Sequence, residues 1–391
     1  MNYSSHLAVA KNLLSAYTPS APFHLYLKVY FKQNKKHGSR DRKLITTLCY
    51  NYYRLGFTLK DIPLEERILI GFFLCEHNPS EFLQSLKPEW NKIITKPIKE
   101  KLAIGNWQSE IDNIFPFKDE LSDDIDSEKF NFSFLDQPKL FIRVRPGFNK
   151  TVTQKLDAGN IHYETVSGDC LALPNSSKIG TVIKLDKEAV VQDYNSQRIG
   201  EFIKLAIGNK RSEINVWDCC TASGGKSILA YDVNPSINLT VSDKRKSILE
   251  NLQQRFAKAG ISNYHSFVAN LSGMIAAGSQ ISERKFNLII ADVPCTGSGT
   301  WARTPEQLFY FDQKQIKKYS DLQEQIVENI KPFLKHGGYL LYVTCSVFKK
   351  ENEEVVDFIK EKLKINLVRM ELLKGYEMQA DTMFAALFVC P

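Results

Sequence analysis

Residues 286–300 read FNLIIADVPCTGSGT. The run FNLII is apolar almost throughout rather than at alternate positions, so a strand built from it must be covered on both faces. An acid, a proline, a cysteine and two glycines then end it abruptly, leaving polar and nucleophilic side chains where the strand opens into a loop. Runs of the same kind surround it beyond residue 201: INVWDCC, NLTVSD, YHSFVAN and GYLLYVTC. Between them lie segments of helical spacing, KRKSILENLQQRFAKAG ended by Gly260 and QIKKYSDLQEQIVENIKPFLKHGG ended by Gly337. Such alternation predicts an α/β fold, a doubly wound, mostly parallel, Rossmann-like sheet with ligands off the carboxyl ends of its strands. INLVRMEL and MFAALFVC have no helical pattern between them and predict an antiparallel edge.

Upstream of this domain the pattern changes twice. Residues 131–200 carry two strand-like runs, KLFIRVR and AVVQDY, and a helix-like TVTQKLDAG, and read as a small α+β module. Residues 1–130 read as a helical domain, with apolar residues three and four apart in HLAVAKNLLSAY, PFHLYLKVYF, SRDRKLITTLCYNYYRLG and PLEERILIGFFLCEH. Ser39 is placed to cap the third of these helices and Gly56 to end it, while Pro63 and Pro79 fit first-turn positions. The acidic, turn-forming stretch KDELSDDIDSEK ends that domain and reads as a linker.

Composition narrows the class. With 43% hydrophobic and 24% charged residues the chain reads as globular, and no run approaches the roughly 18 apolar residues of a membrane span. The N-terminus lacks the order of a secretion signal, so a cytoplasmic protein is expected. The eight cysteines form no C-x-x-C pair and no His-rich ligand set, which supports neither a disulfide framework nor a metal site. Net charge is +7, but residues 1–105 hold 16 Lys and Arg against 8 Asp and Glu, so the excess lies at the N-terminal end. Lys35, Lys36, Arg40, Arg42, Lys43 and Arg54, interleaved with Tyr50, Tyr52 and Tyr53, form a candidate surface for the phosphates of RNA; a merely solvated basic face is the alternative.

The strand ends carry the chemistry. INVWDCC runs into DCCTASGGKS, where Gly224 and Gly225 let a ligand approach backbone N–H groups closely. GGKS does not have phosphate-loop spacing, and a ligand-free turn competes with this reading. Asp243 ends the next strand about 20 residues on, where an acid accepts bonds from both ribose hydroxyls of an adenosine-containing ligand. ADVPC and VTCS put Cys295 just past one strand and Cys345 at the end of another. If the strands are neighbours, both sulfurs reach one cleft. A redox couple is one use of such a pair. The other is nucleophilic catalysis: a thiolate adds to C6 of cytosine, C5 becomes nucleophilic enough to take a methyl group, and a base removes the C5 proton so that the thiolate can leave.

DVPCTGSGT and VTCSVFKKENEEVV resemble the paired signatures of the Sun (Fmu) family of RNA cytosine-C5 methyltransferases, and CCTASGGKS resembles its cofactor loop. FIRVRPGFNKTVTQKLDAGNIHYETV followed by VVQDYNSQRIGEF is similar to the family's small RNA-binding module and its lead-in to the catalytic domain. The basic helical N-terminus resembles a NusB-type module found in one branch. The resemblance implies that Cys345 attacks cytosine C6, that Cys295 promotes resolution of the adduct, and that Asp292 bonds the cytosine ring and helps position the cofactor. It implies that Cys220, Thr221, Ala222, Ser223, Gly224, Gly225 and Lys226 cradle S-adenosylmethionine, with Asp243 on its ribose. Asn270 stands where the family has an acid facing the adenine amino group, and its carbonyl can accept the same bond. Ser223 replaces the usual proline, and DTMFAALFVCP lacks the usual glycine-aromatic pair. The implied partner is structured RNA, ribosomal rather than transfer, with no metal, no membrane and a monomeric enzyme. A methyltransferase acting on another target, or an RNA-binding assembly factor with a weak catalytic domain, are the competing readings.

Overall fold

The computed structural model describes residues 3–208, 213–273, 281 and 283–391. The chain falls into two compact units. One holds Met1–Asp119, Asp126–Gln137 and Trp301–Asp312; the other holds Glu120–Ile125, Pro138–Thr300 and Gln313–Pro391.

The first unit is helical, with its longest helices at Tyr3–Ala16, Phe23–Gln33, Ser39–Arg54 and Leu64–Cys75. Ser39 is the first helical residue rather than the cap. Gly38 caps this helix, its N–H held by the Asp41 carboxylate at 2.9 Å, because an acid in the first turn reaches back to an orphan amide. Pro63 likewise stands at the N-cap of its helix, and Pro79 lies outside the helix Glu81–Leu86, whose cap is Ser80, accepting from Leu83 N at 3.2 Å. The basic cluster is also corrected in part. Arg54 is buried and donates to Phe134 O, Asp136 O and Gln137 Oε1, and Tyr53 is buried too. Arg67 and Lys101 are likewise interior, spent on backbone carbonyls. Three of the cations counted at the N-terminal end therefore tie the unit together, whereas Lys35, Lys36, Arg40 and Lys43 are exposed.

The second unit contains two sheets. The smaller is antiparallel, with β1 (Leu140–Val144), β2 (Glu164–Ser167), β3 (Cys170–Leu173) and β4 (Ala189–Val191) in the order β2-β3-β1-β4. The helix Asn149–Ala158 packs Val152 and Leu156 against Ile142 and Leu171 of this sheet. The sequence pattern showed β1, β4 and the helix; the short β2–β3 hairpin has no alternation long enough to be seen.

The larger sheet comprises β5 (Ile214–Asp218), β6 (Ile237–Asp243), β7 (Tyr264–Val268), β8 (Phe286–Asp292), β9 (Leu334–Thr344), β10 (Asn366–Leu373) and β11 (Met383–Val389). Its order is β10-β11-β9-β8-β5-β6-β7, parallel from β7 to β9 and antiparallel through β11 and β10. Leu288 and Ile290 enter one core layer with Val216 and Val241, while Ile289 and Ala291 enter the opposite layer with Trp217 and Tyr342. That two-sided burial is why FNLII shows no alternation. The helix Lys314–Ile330 stops well before Gly337, because Pro332 cannot supply the N–H that would continue it; LKHGG instead opens β9. Glu120–Ile125 is not a free linker. Leu121 bridges to Phe348, Ser122 N donates to Val347 O at 2.8 Å, and Asp123 and Glu120 pair with Lys349 and Lys350. The strand order reverses between β5 and β8, the position at which open α/β sheets leave a crevice beyond the carboxyl edge.

Candidate active site

Five neighbouring strands of the sheet deliver side chains to that edge. β5 ends at Asp218, which is fully buried. Its Oδ2 accepts from Ser227 Oγ at 2.6 Å, while Oδ1 is buried with no partner among the described residues. Burial pushes this carboxyl up to about 7. The loop that follows turns through Ala222 and Gly224, both with positive φ. At Gly224 a Cβ would lie 2.8 Å from the Phe256 ring, so neither the backbone conformation nor the space admits a side chain. Gly225, by contrast, starts the next helix with no atom nearer than 4.0 Å to where its Cβ would be, an open floor for a ligand.

Ser223, at the position where a proline was expected, is held from outside the loop. The Arg255 guanidinium donates to Ser223 O at 2.8 Å and Oγ at 2.9 Å, and also pairs with Asp186 at 2.7 Å. A side-chain clamp thus supplies restraint that a proline ring would build into the backbone.

Asp243 ends β6. Its Oδ2 accepts from Ala222 N at 3.2 Å, tying the acid to the glycine loop, and Arg245 lies along its carboxylate. Burial raises the Asp243 carboxyl, but hydrogen bonds from Arg245 and the backbone outweigh it and leave it below its usual range, hence ionised. Asn270 follows β7. Its Oδ1 is engaged by Ser272 N at 3.3 Å and Ser272 Oγ at 2.8 Å, so the carbonyl expected to face a ligand is turned into its own loop.

β8 and β9 complete the edge. Asp292, paired in register with Val343, accepts from Lys226 Nζ at 2.7 Å. Burial alone would lower the Lys226 ammonium, but the Asp292 carboxylate and the nearby Cys345 sulfur hold it above its ordinary value. The Sγ atoms of Cys295 and Cys345 lie 3.3 Å apart. Sharing that contact, together with burial, pushes the Cys295 thiol well up. Gly299 makes the cysteine turn possible: its N–H donates to Cys345 O at 2.9 Å, and a Cβ there would lie 1.9 Å from Thr382 O.

The sequence reading did not single out Asp218, Arg255, Gln323, Glu351 or Asn352. Asp218, Glu351 and Asn352 stood inside quoted motifs, and for the last two the further signal was a polar pair soon after a buried strand. Among the described residues no group of His, Cys, Asp and Glu is arranged to hold a metal, and no helix is long and apolar enough to cross a membrane.

A parallel sheet with the β11 hairpin insertion, a glycine loop after its first strand and an acid after its second defines a Rossmann-like methyltransferase fold. Residues 205–389 match the family described as 16S rRNA methyltransferase RsmB/F, known also as Sun or Fmu. Ribosomal RNA small subunit methyltransferase B of Shewanella oneidensis is 29% identical over 49% of this chain, a stretch that spans only 43% of that relative's length. A Coxiella burnetii protein described as a probable ribosomal RNA small subunit methyltransferase B is 24% identical over 90% of each chain. The crystal structure of PH0851 superposes over 99% of both chains with a TM-score of 0.69 and 18% identity, a likeness of fold.

Proposed function

We propose that the chain methylates C5 of a cytosine in small-subunit ribosomal RNA through a covalent cysteine adduct. The observation that carries this reading is the pair of sulfurs 3.3 Å apart beside the Lys226–Asp292 ion pair. Methylation of an exocyclic amine or of a protein needs no thiol at the reacting centre, whereas an unactivated C5 does. The names of the relatives support ribosomal RNA as the substrate.

Cys345 is the nucleophile and adds to C6. The Lys226 ammonium donates to Asp292 and orients it, leaving the remaining lone pairs of the carboxylate to accept from the exocyclic amine or ring of the base. Cys295, held protonated, stands beside the adduct: as water takes the C5 proton, the C5–H electron pair forms the C5–C6 double bond, the C6–sulfur bond breaks, and Cys295 gives its proton to the departing Cys345 sulfur. The glycine loop at Cys220–Lys226 and the Asp243 carboxylate fit S-adenosylmethionine: open space at Gly225 admits the amino-acid part, and an ionised acid accepts from the ribose. When bound there, the sulfonium supplies the methyl group. Asn270 would contribute only after releasing Ser272. The exposed Lys35, Lys36, Arg40 and Lys43 are suited to RNA phosphates.

Incubation of the purified chain with small-subunit ribosomal RNA and methyl-labelled S-adenosylmethionine, followed by digestion to nucleosides, is expected to place the label in 5-methylcytidine. Label confined to N-methylated bases or to protein would refute the reading. A second expectation concerns the loop. Arg255→Ala removes two hydrogen bonds to Ser223 from a charged donor, a loss of about 1–2 kcal/mol that weakens S-adenosylmethionine binding about 5- to 30-fold if the loop must be ordered to bind. Calorimetric titration checks it, and an unchanged Kd would mean that the clamp is irrelevant to the cofactor.

A further inference from the structure

Glu351 has no place in the mechanism above, yet its carboxylate is fully buried and saturated. Oε1 accepts from Thr296 Oγ1 at 2.5 Å and Ser346 Oγ at 2.6 Å; Oε2 accepts from Thr296 N and Gln323 Nε2, each at 2.9 Å. Thr296 directly follows Cys295, and Ser346 directly follows Cys345. Gln323, also fully buried, passes the restraint one residue further, since its Nε2 donates to Pro294 O at 3.0 Å. The chain on both sides of Cys295 is therefore fastened to one carboxylate.

Cys345 is held differently. Asn352 Oδ1 accepts from Thr344 Oγ1 at 2.6 Å, and its Nδ2 donates to Ser346 O at 3.0 Å, so the flanks of Cys345 stay anchored without Glu351. Cys345 also sits directly at the end of β9, whereas Cys295 lies three residues beyond the end of β8. All four groups around Glu351 are donors, which suits an acceptor-only carboxylate. Burial raises the Glu351 carboxyl, opposed by these donors, and its charge in turn favours the protonated form of Cys295.

We propose that Glu351 is a positioning residue that holds the Cys295 segment against Cys345, so that its loss impairs release of the RNA adduct rather than its formation. The inference rests on the cysteine-adduct reading of the site. It separates the two sulfurs by their support: one is set by the sheet and Asn352, the other by a buried acid.

The test uses the full chain with Glu351→Ala, Glu351→Gln and Cys295→Ala side by side, reading kcat, KM for RNA and the fraction of protein in a denaturant-resistant RNA adduct. Displacing a reacting group by about 1 Å costs on the order of 10²-fold, so Glu351→Ala is expected to lose about that factor in kcat with little change in KM, and to accumulate adduct. Glu351→Gln keeps an acceptor for Thr296 N and Gln323 and can donate to the two hydroxyls, so it should recover most of the rate. A purely structural role would lower kcat without adduct. Wild-type kcat in Glu351→Ala, or slow turnover without adduct while Cys295→Ala traps it, overturns the proposal. Absence of adduct from Cys295→Ala itself marks failure of the underlying reading. If Glu351→Ala does not give a cooperative thermal transition, Thr296→Val, which deletes one hydroxyl, carries the same test: adduct above the wild-type level is expected, and its absence overturns the inference.

Discussion

Cys345→Ala is expected to abolish methyl transfer, with kcat falling on the order of 10⁴-fold or more, as for removal of the attacking group in other covalent mechanisms. RNA affinity should hardly change, because alanine leaves the basic surface, the glycine loop and the Lys226–Asp292 pair intact. The side chain is only partly buried, so its truncation removes little packing and the fold should survive. Single-turnover assays with labelled cofactor and a parallel RNA-binding titration separate the two effects. Retained activity in this variant would remove the nucleophile from the mechanism and would return the chain to the competing readings, a methyltransferase with another target among them.

The second large effect is of opposite kind. Cys295→Ala should lower turnover at least about 10²-fold, the usual contribution of a positioned acid or base, while trapping a covalent complex between protein and RNA that survives denaturant. The physical reason is the division of labour proposed for two sulfurs 3.3 Å apart: Cys345 would form the bond to C6, and the neighbouring sulfur would assist the steps that break it. Removing the second partner leaves a site that can enter the cycle but not leave it. A band of protein–RNA adduct on denaturing gels, absent from the Cys345→Ala and the double variant, is the expected result. Slow turnover with no adduct would mean that Cys295 supports the loop rather than the chemistry.

These two outcomes also separate the enzyme from an assembly factor of the same fold. An inactive RNA-binding protein would tolerate both substitutions with no change in any covalent species. The fully buried, hydrogen-bonded supports at Asp218, Glu351 and Asn352 argue for a site kept under restraint, since each of these polar groups carries a desolvation cost that packing alone would avoid.

How much of this was legible before the fold was known follows from which interactions are local. Most strands of the larger sheet are visible as runs of five to eight residues, because burial on both faces of its central strands is written directly into consecutive side chains. Loop glycines and strand-end acids are visible for the same reason: a tight turn at Gly224 and an acid at Asp243 are properties of a few adjacent residues. Where the reading went astray, the deciding partner lay elsewhere along the chain or the local signals conflicted. Ser39 lost the cap to Gly38 and Asp41, Gly337 was preempted by Pro332, and Arg54 was drawn inside by carbonyls some 80 residues away. For Asn270, expected to face the adenine amino group, the structure adds a bond from Ser272 Oγ to its Oδ1 that no local pattern announced.

By itself, then, the order of residues determined the sheet, its carboxyl edge and the identity of the groups that end each strand, because hydrophobic period and turn chemistry act over short distances. Only tertiary structure decided that two sulfurs fifty positions apart come within 3.3 Å, that Lys226 reaches Asp292 across 66 residues, and that Arg255 replaces a missing proline. Those contacts depend on which strands become neighbours and in what register. That is a matter of long-range packing, which no local pattern encodes.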